Sequence, residues 1–119
     1  MSEDKTHYAR TEACAQTYRV FYGDELILES NQAIEMKEYY QGKEFSPVVY
    51  FPESAISSLQ TLSSNHMTHC PIKGDAAYLN FRDASNGIWF YPQPLRSVGQ
   101  IKNHYAFDQN QGFRVVPAC

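Results

Sequence analysis

The residues best suited to chemistry in this sequence are concentrated in the stretch His69–Tyr78. It carries a thiol, an ammonium group, a carboxylate and a phenol, arranged around a Pro/Gly turn. Cys70 could act as a nucleophile assisted by His69 or Lys73, or it could simply be a small buried side chain. Because adjacent residues on a strand point to opposite faces, a direct pairing of His69 with Cys70 is disfavoured.

Lys73 allows several chemical roles and one structural role. Its ammonium could bind a phosphate or carboxylate, form a Schiff base with a carbonyl, or favour the thiolate of Cys70. A lysine in a turn can also be no more than a solvated surface residue. Glu38 could pair with Lys73 or serve as a base, and a lone glutamate is otherwise solvated. The candidates for catalysis are therefore Cys70, Lys73 and Glu38.

The Pro/Gly turn sets the geometry that we expect for these groups. Pro71 favours an extended backbone at the residue before it, and Gly74 suits a positive φ at the end of a type I turn. This turn is expected to project the Lys73 ammonium from its tip. It is also expected to bring Cys70 and Asp75 close together at its base.

Aromatic residues after the turn could form the walls of a pocket. Tyr78 lies three residues beyond Asp75 on the outgoing strand and therefore on the opposite face. Trp89 and Tyr91 alternate onto one face of the returning strand, with Tyr50 as a further aromatic, although core packing is the more common role of such residues. The expected ligand-binding residues are His69, Cys70, Lys73, Tyr78, Trp89 and Tyr91.

The sequence gives little support to a metal centre or to nucleic-acid binding. His66, His69 and Cys70 are close in sequence, but a zinc site needs a fourth ligand and none stands at a suitable spacing. We therefore expect no metal and no cofactor. The net charge is −3 and the basic residues form no stripe, so nucleic acid is not an expected partner.

Length and cysteine usage favour a single cytoplasmic domain. The 119 residues suit one domain, and no apolar run approaches the roughly 18 residues of a membrane-spanning helix. The charged N-terminus does not resemble a signal peptide. Three widely spaced cysteines argue for reduced thiols rather than a disulfide framework. Exposed strand edges make a homodimer a further expectation.

Short alternating or apolar runs between turn residues predict a mainly β, mostly antiparallel fold. Residues 1–15 show no usable periodicity and are expected to be flexible, leaving 16–119 as a single β domain. The apolar run 47–51 does not alternate, which predicts burial on both faces. The predicted strands cover residues 17–22, 25–30, 33–38, 47–51, 75–82, 88–91, 104–107 and 113–116.

One short helix and one further hairpin complete this prediction. The helix is expected near 53–62, because Pro52 and Glu53 suit its first turn and three apolar residues recur at a spacing of three. These residues, which would pack into the core, are Ile56, Leu59 and Leu62. Residues 83–87 are expected to form the turn of this hairpin, because they end in Asn86–Gly87 and Asn-Gly is a strong hairpin signal.

Several of these segments, in order, resemble a bacterial family known as domain of unknown function 427. The most specific pieces are Thr68–Gly74 followed by Tyr78, and then Trp89–Pro94. The resemblance extends over residues 17–116 and includes the further segments Val20–Ser30, Ala33–Glu38, Val49–Pro52 and Tyr105–Phe107.

The resemblance implies a small, strongly coiled β domain. Its topology would be similar to the β-tent fold of B-type methionine sulfoxide reductases, without their zinc cysteines. It implies no established activity, and we find no support for a nucleotidyltransferase, which needs paired metal-binding carboxylates beside a Gly-Ser turn. The chain departs from the family at Ile72, where a Tyr is common, and at Leu79, where a bulky aromatic is common, which affects the expected shape of the pocket.

Three functions follow as alternatives. The first is the binding of a small polar or anionic molecule in a pocket around Cys70–Gly74. The second is an enzyme that uses Cys70 or Lys73 in catalysis. The third is a protein-interaction module in which the motif only holds a turn.

Overall fold

The computed structural model describes residues 7–118 and contains two antiparallel β-sheets. The strands are β1 (His7–Ala13), β2 (Tyr18–Tyr22), β3 (Glu25–Ser30), β4 (Ile34–Tyr40), β5 (Lys43–Glu44), β6 (Val48–Pro52), β7 (Leu62–Cys70), β8 (Gly74–Phe81), β9 (Ala84–Phe90), β10 (His104–Phe107) and β11 (Phe113–Pro117). The helices are α1 (Glu53–Ile56) and two 3₁₀ helices at Arg96–Ile101 and Gln109–Gln111. This architecture confirms the predicted mainly β, antiparallel fold.

The larger sheet has eight strands and the smaller sheet has three. The larger sheet runs in the order β1-β4-β6-β10-β9-β8-β7, with β5 paired to β4, and the smaller sheet runs β11-β2-β3. Gly23, with φ 61°, makes the turn between β2 and β3, so the predicted first hairpin is confirmed. The larger sheet and the turns that join its strands carry every candidate residue singled out from the sequence.

Two apolar clusters pack on opposite faces of the larger sheet. The first lies between the two sheets and includes Val20, Phe51, Ile88 and Phe113. The second lies on the other face. Tyr50 and Phe51 are adjacent on β6 and belong to different clusters, which confirms the prediction that this strand is buried on both faces. The second cluster contains Met36, Tyr50, Ala76, Tyr91, Val98, Ile101 and Ala106.

The N-terminal segment differs from its prediction. Residues 7–13 form β1, which pairs with β4 along its whole length, from His7 opposite Tyr40 to Ala13 opposite Ile34. This segment lies at the edge of the sheet and has no fully buried side chain, so it carries little hydrophobic alternation for the sequence to reveal. The first six residues of the predicted flexible segment lie outside the described residues.

The predicted helix near 53–62 is much shorter than expected. It ends at Ile56, and the Ser57 and Ser58 hydroxyls donate hydrogen bonds to backbone carbonyls one turn earlier, which competes with regular helix. Ile56 is buried and Leu59 packs against the first cluster. Leu62 is 72% exposed and begins β7, so the prediction that it packs in the core is wrong.

The hairpin predicted around residues 83–87 is confirmed by the antiparallel pairing of β8 with β9, but its turn is shorter and lies earlier than predicted. The chain turns at Arg82 and Asp83, and Asn86 lies inside β9 with φ 56°. Its backbone N–H donates to Asn80 Oδ1 at 2.7 Å, beside an irregularity in the pairing of β8 with β9. The Asn86–Gly87 pair therefore lies at an irregularity inside β9, where the Asn80 side chain accepts the hydrogen bond of the Asn86 N–H.

Candidate functional site

The curvature of the larger sheet brings the Pro/Gly turn to a distant strand. The turn joins β7 to β8, and four strand spacings separate β8 from β4. In a flat sheet this separation would be roughly 19 Å, at about 4.8 Å per spacing. Lys73 Nζ nevertheless lies 2.9 Å from Glu38 Oε1 on β4. The sheet therefore curls around its inner face, the one that carries the second apolar cluster.

Glu38 lies between two basic groups. Its Oε1 pairs with Lys73, and its Oε2 lies 2.8 Å from His7 Nε2 on β1. The side chains of these residues are largely screened from water, at 14% exposed for Lys73, 25% for Glu38 and 29% for His7. Burial on its own would raise the pKa of Glu38, but the His7 and Lys73 contacts outweigh it and hold the pKa below its ordinary value.

The turn itself has the predicted backbone but not the predicted side-chain direction. The Lys73 N–H donates to the Cys70 carbonyl at 3.2 Å, and Gly74 has φ 112°. The Leu95 N–H donates to the Lys73 carbonyl at 3.0 Å and fixes the turn against the following loop. The Lys73 side chain folds inward, with Nζ 6.0 Å from the centre of the Tyr91 ring. The prediction that it projects from the turn tip is wrong, because Glu38 supplies a partner on the inner face.

Aromatic residues of the second apolar cluster lie on the same inner face as this ion pair. Trp89 Nε1 donates to the Tyr50 hydroxyl at 3.2 Å, and the two rings meet edge to face. Tyr50 and Tyr91 are buried, at 1% and 6% exposed. Burial raises the pKa of both phenols, so both stay protonated at neutral pH. The structure thus packs Tyr50, Tyr91 and Trp89 together in the second apolar cluster, and their role as the walls of a pocket stays a prediction.

Tyr78 and Cys70 complete the same surface. The Tyr78 hydroxyl lies 2.8 Å from Thr68 Oγ1, and its ring lies 4.6 Å from that of His66. Cys70 and Tyr78 both pack against the second apolar cluster. We call this set of inner-face residues the Lys73 cluster; it consists of His7, Glu38, Tyr50, Cys70, Lys73, Tyr78, Trp89 and Tyr91.

His69 is the one predicted ligand-binding residue that the structure does not bring into the cluster. It pairs across the hairpin with Asp75, and its Nδ1 lies 2.7 Å from Asp75 Oδ1. Cys70 lies opposite Gly74, one position from the His69–Asp75 pair, so Cys70 and Asp75 both lie at the base of the turn but are not paired with each other. His69 and Asp75 are about two-thirds exposed and line a separate surface pocket of about 370 Å³ with Met67.

Sequence reasoning missed His7, whose segment showed no periodicity. Nothing in the sequence connects His7 to Glu38, which is 31 residues away along the chain. The link arises from the pairing of β1 with β4, which places Ala9 opposite Glu38 and His7 two residues further along the same face. Recognition of β1 as a strand would have been the only route to it.

Two further findings concern metal-binding groups and membrane-spanning helices. Among residues 7–118, no three His, Cys, Asp or Glu side chains lie close enough together to hold a metal ion. In the same part of the chain, every helix is too short or too polar to cross a membrane.

Comparison with known proteins places the chain in a family. No curated protein matches it. A family model described as a domain of unknown function, DUF427, matches residues 10–116. This range contains the most specific pieces of the resemblance, the turn at Cys70–Gly74 and the segment after Trp89. The chain therefore belongs to the DUF427 family.

Proposed function

We propose that this chain binds a small polar or anionic molecule at the Lys73 cluster. The observation that carries the proposal is the inward-turned Lys73, which pairs with Glu38 across the curved sheet at only 14% exposure. A lysine that only completes a turn gains most by extending into water, because an ammonium group is strongly hydrated. A half-buried ammonium beside buried phenols is instead typical of a site that holds a polar group.

The chemistry of the cluster supports the same conclusion. An ammonium has three N–H donors, and Glu38 Oε1 engages one of them. The Tyr78 and Tyr50 hydroxyls add polar groups on the same face, while Trp89 offers a partly exposed apolar wall. A few convergent polar groups against aromatic walls are the usual composition of a small-molecule site.

A thermal-shift screen tests the proposal. The panel contains nucleotides, sugar phosphates, organic acids, thiols and divalent metals, and is applied to the wild type, Lys73→Met and Lys102→Met. Lys102 is an exposed lysine outside the cluster and serves as the matched control. A ligand at a hundred times its Kd stabilises the folded protein by about 2.7 kcal/mol, which raises the melting temperature by several degrees.

We expect a response in the wild type and in Lys102→Met that is lost in Lys73→Met. Circular dichroism of each variant confirms that the fold is retained. A response that persists in Lys73→Met, or a flat panel with well-folded wild type, contradicts the proposal.

A catalytic role for Cys70 is a second candidate function. It is favoured because Cys70 packs against the second apolar cluster, as Tyr78 and Trp89 of the Lys73 cluster do. In that case Cys70 should react with iodoacetamide quickly and with a strong pH dependence. Cys14 is the internal reference, because burial and the nearby Glu35 raise the pKa of its thiol and slow its labelling. If Cys70 reacts no faster than Cys14, it is not an activated nucleophile.

A further inference from the structure

Two buried tyrosines in the Lys73 cluster have hydroxyl groups that find no acceptor among residues 7–118. Tyr91 is 6% exposed, and its hydroxyl makes no hydrogen bond to any group in residues 7–118. Tyr50 is 1% exposed; its oxygen accepts from Trp89, while its own O–H has no acceptor within that described range. Buried polar groups in folded proteins are almost always paired, so two such hydroxyls in one cluster need an explanation.

The strongest acceptor of the cluster, the Glu38 carboxylate, already has two basic partners. Glu38 is its only carboxylate, and its two oxygens face His7 and Lys73. Lys73 keeps two N–H donors beyond its contact with Glu38. Four donors of the cluster thus have no partner among residues 7–118, namely two N–H groups of Lys73 and the hydroxyls of Tyr50 and Tyr91, and a ligand rich in acceptors would suit them.

The net charge of the Lys73 cluster also suits an anionic ligand. The Glu38 carboxylate is balanced by the Lys73 ammonium at 2.9 Å, and His7 adds either no charge or a positive one. The cluster thus carries no net negative charge that would repel an anion. Hydrogen bonds to an ionised acceptor are roughly twice as strong as those to a neutral one, which favours a charged ligand at these donors.

We infer that the ligand of the Lys73 cluster is a small oxyanion, a carboxylate or a phosphate, received by the Lys73 ammonium and the Tyr91 hydroxyl. This inference rests on the proposed function and narrows its ligand class. The Tyr50 hydroxyl is the further donor on the same face. Carboxylate and phosphate share the required chemistry, an acceptor-only head group with a negative charge.

The fluorescence of Trp89 is the readout for ligand binding at the Lys73 cluster. It is the only tryptophan in the sequence, and its indole N–H contacts the Tyr50 hydroxyl inside the cluster. Its emission should therefore respond to a ligand bound there. The probes are matched pairs, acetate with acetamide and glycerol 3-phosphate with glycerol, titrated at constant ionic strength with sodium chloride. The acetate and phosphate arms separate a planar from a tetrahedral anion.

Tyr91→Phe tests the assigned donor, with Tyr18→Phe as its matched control. Tyr18 is a buried phenol in the first apolar cluster, on the other side of the sheet. We expect at least one oxyanion to change Trp89 emission in the wild type and in Tyr18→Phe, and to bind about ten- to a hundredfold more weakly to Tyr91→Phe. Without ligand, Tyr91→Phe should melt at the same temperature as the wild type or higher, since it removes an unpaired buried hydroxyl.

The contrary outcomes are distinct. If only the neutral probes bind, and bind through Lys73, the proposed function stands and the oxyanion inference is overturned. If an oxyanion binds equally well to Tyr91→Phe, or if this variant melts at a lower temperature without ligand, the assignment of the hydroxyl is overturned. If no probe changes the emission while another compound stabilises the protein through Lys73, only the oxyanion inference falls; if no compound does so, both fall.

Discussion

Gly74 directly follows Lys73 and adopts a backbone conformation that favours glycine. Its φ of 112° is unfavourable for any residue with a Cβ atom. A Cβ built there would also meet the Gln93 carbonyl oxygen at 3.2 Å and lie 3.7 Å from the Leu95 nitrogen. A side chain at Gly74 is therefore disfavoured for two reasons, backbone strain and the close approach of its Cβ atom to the following loop.

We expect Gly74→Ala to lower the free energy of unfolding by about 1 kcal/mol or more, measured by urea denaturation. Gly99→Ala is the control, because Gly99 has no positive φ and a Cβ added there would meet no other part of residues 7–118 within 4 Å, apart from its chain neighbours and its own helix. Its stability should stay within about 0.5 kcal/mol of the wild type. Equal stability of the two variants would mean that the turn tolerates a side chain at Gly74.

At the scale of single residues, the sequence predicts backbone conformations that depend on neighbouring residues. It does not predict the direction of a side chain whose partner lies far along the chain. The positive φ of Gly74 follows from a Pro/Gly turn and was predictable. The direction of the Lys73 side chain was not, because it depends on Glu38, which lies 35 residues earlier and reaches Lys73 only through sheet curvature. The pairing of these two residues was one of the predicted alternatives, and it is confirmed.

At the scale of elements, strands with strong apolar runs were predictable, whereas edge and bulge features were not. The first hairpin and the strands at His104–Phe107 and Phe113–Pro117 lie close to their predicted positions. β1 was missed because its seven residues are all half-buried or exposed and give no apolar stripe. Asn86–Gly87 was misplaced because a hydrogen bond to the Asn80 side chain, invisible in the sequence, stabilises Asn86 within β9.

The pairing of β1 with β4 predicts slow hydrogen exchange in the N-terminal segment. Backbone amides of residues 7–13 that donate to β4 should exchange more slowly than the same amides in a synthetic peptide of this sequence. His7→Ala removes the contact of β1 with Glu38 and should speed this exchange without unfolding the rest of the sheet. Exchange at the peptide rate in the intact protein would contradict the assignment of β1 as a strand.

At the scale of the whole molecule, the Lys73–Glu38 pair joins two distant parts of one curled sheet. β4 and the turn before β8 are separated by β6, β10 and β9 in the strand order. The pair therefore acts as a side-chain bridge across the inner face. A bridge of this kind couples the shape of the sheet to the charge of Glu38, because a protonated carboxyl attracts the ammonium far less.

This coupling predicts a pH dependence with a definite sign. The folded state lowers the pKa of Glu38, so its stabilising effect is present above the ordinary value of 4.5 and is lost as the pH falls through the lower, folded-state pKa.

Glu38→Gln should therefore be less stable than the wild type by about 1 kcal/mol at pH 7, a magnitude expected for a partly buried ion pair. The difference should shrink as the pH falls from 7 through this lowered pKa, below which both proteins carry an uncharged side chain at this position. Urea unfolding of both proteins at pH 7, 5 and 3 measures it, and the comparison removes the effect of the other carboxylates, which the two proteins share. A difference that stays constant across this range would show that the charge of Glu38 does not hold the curled sheet together.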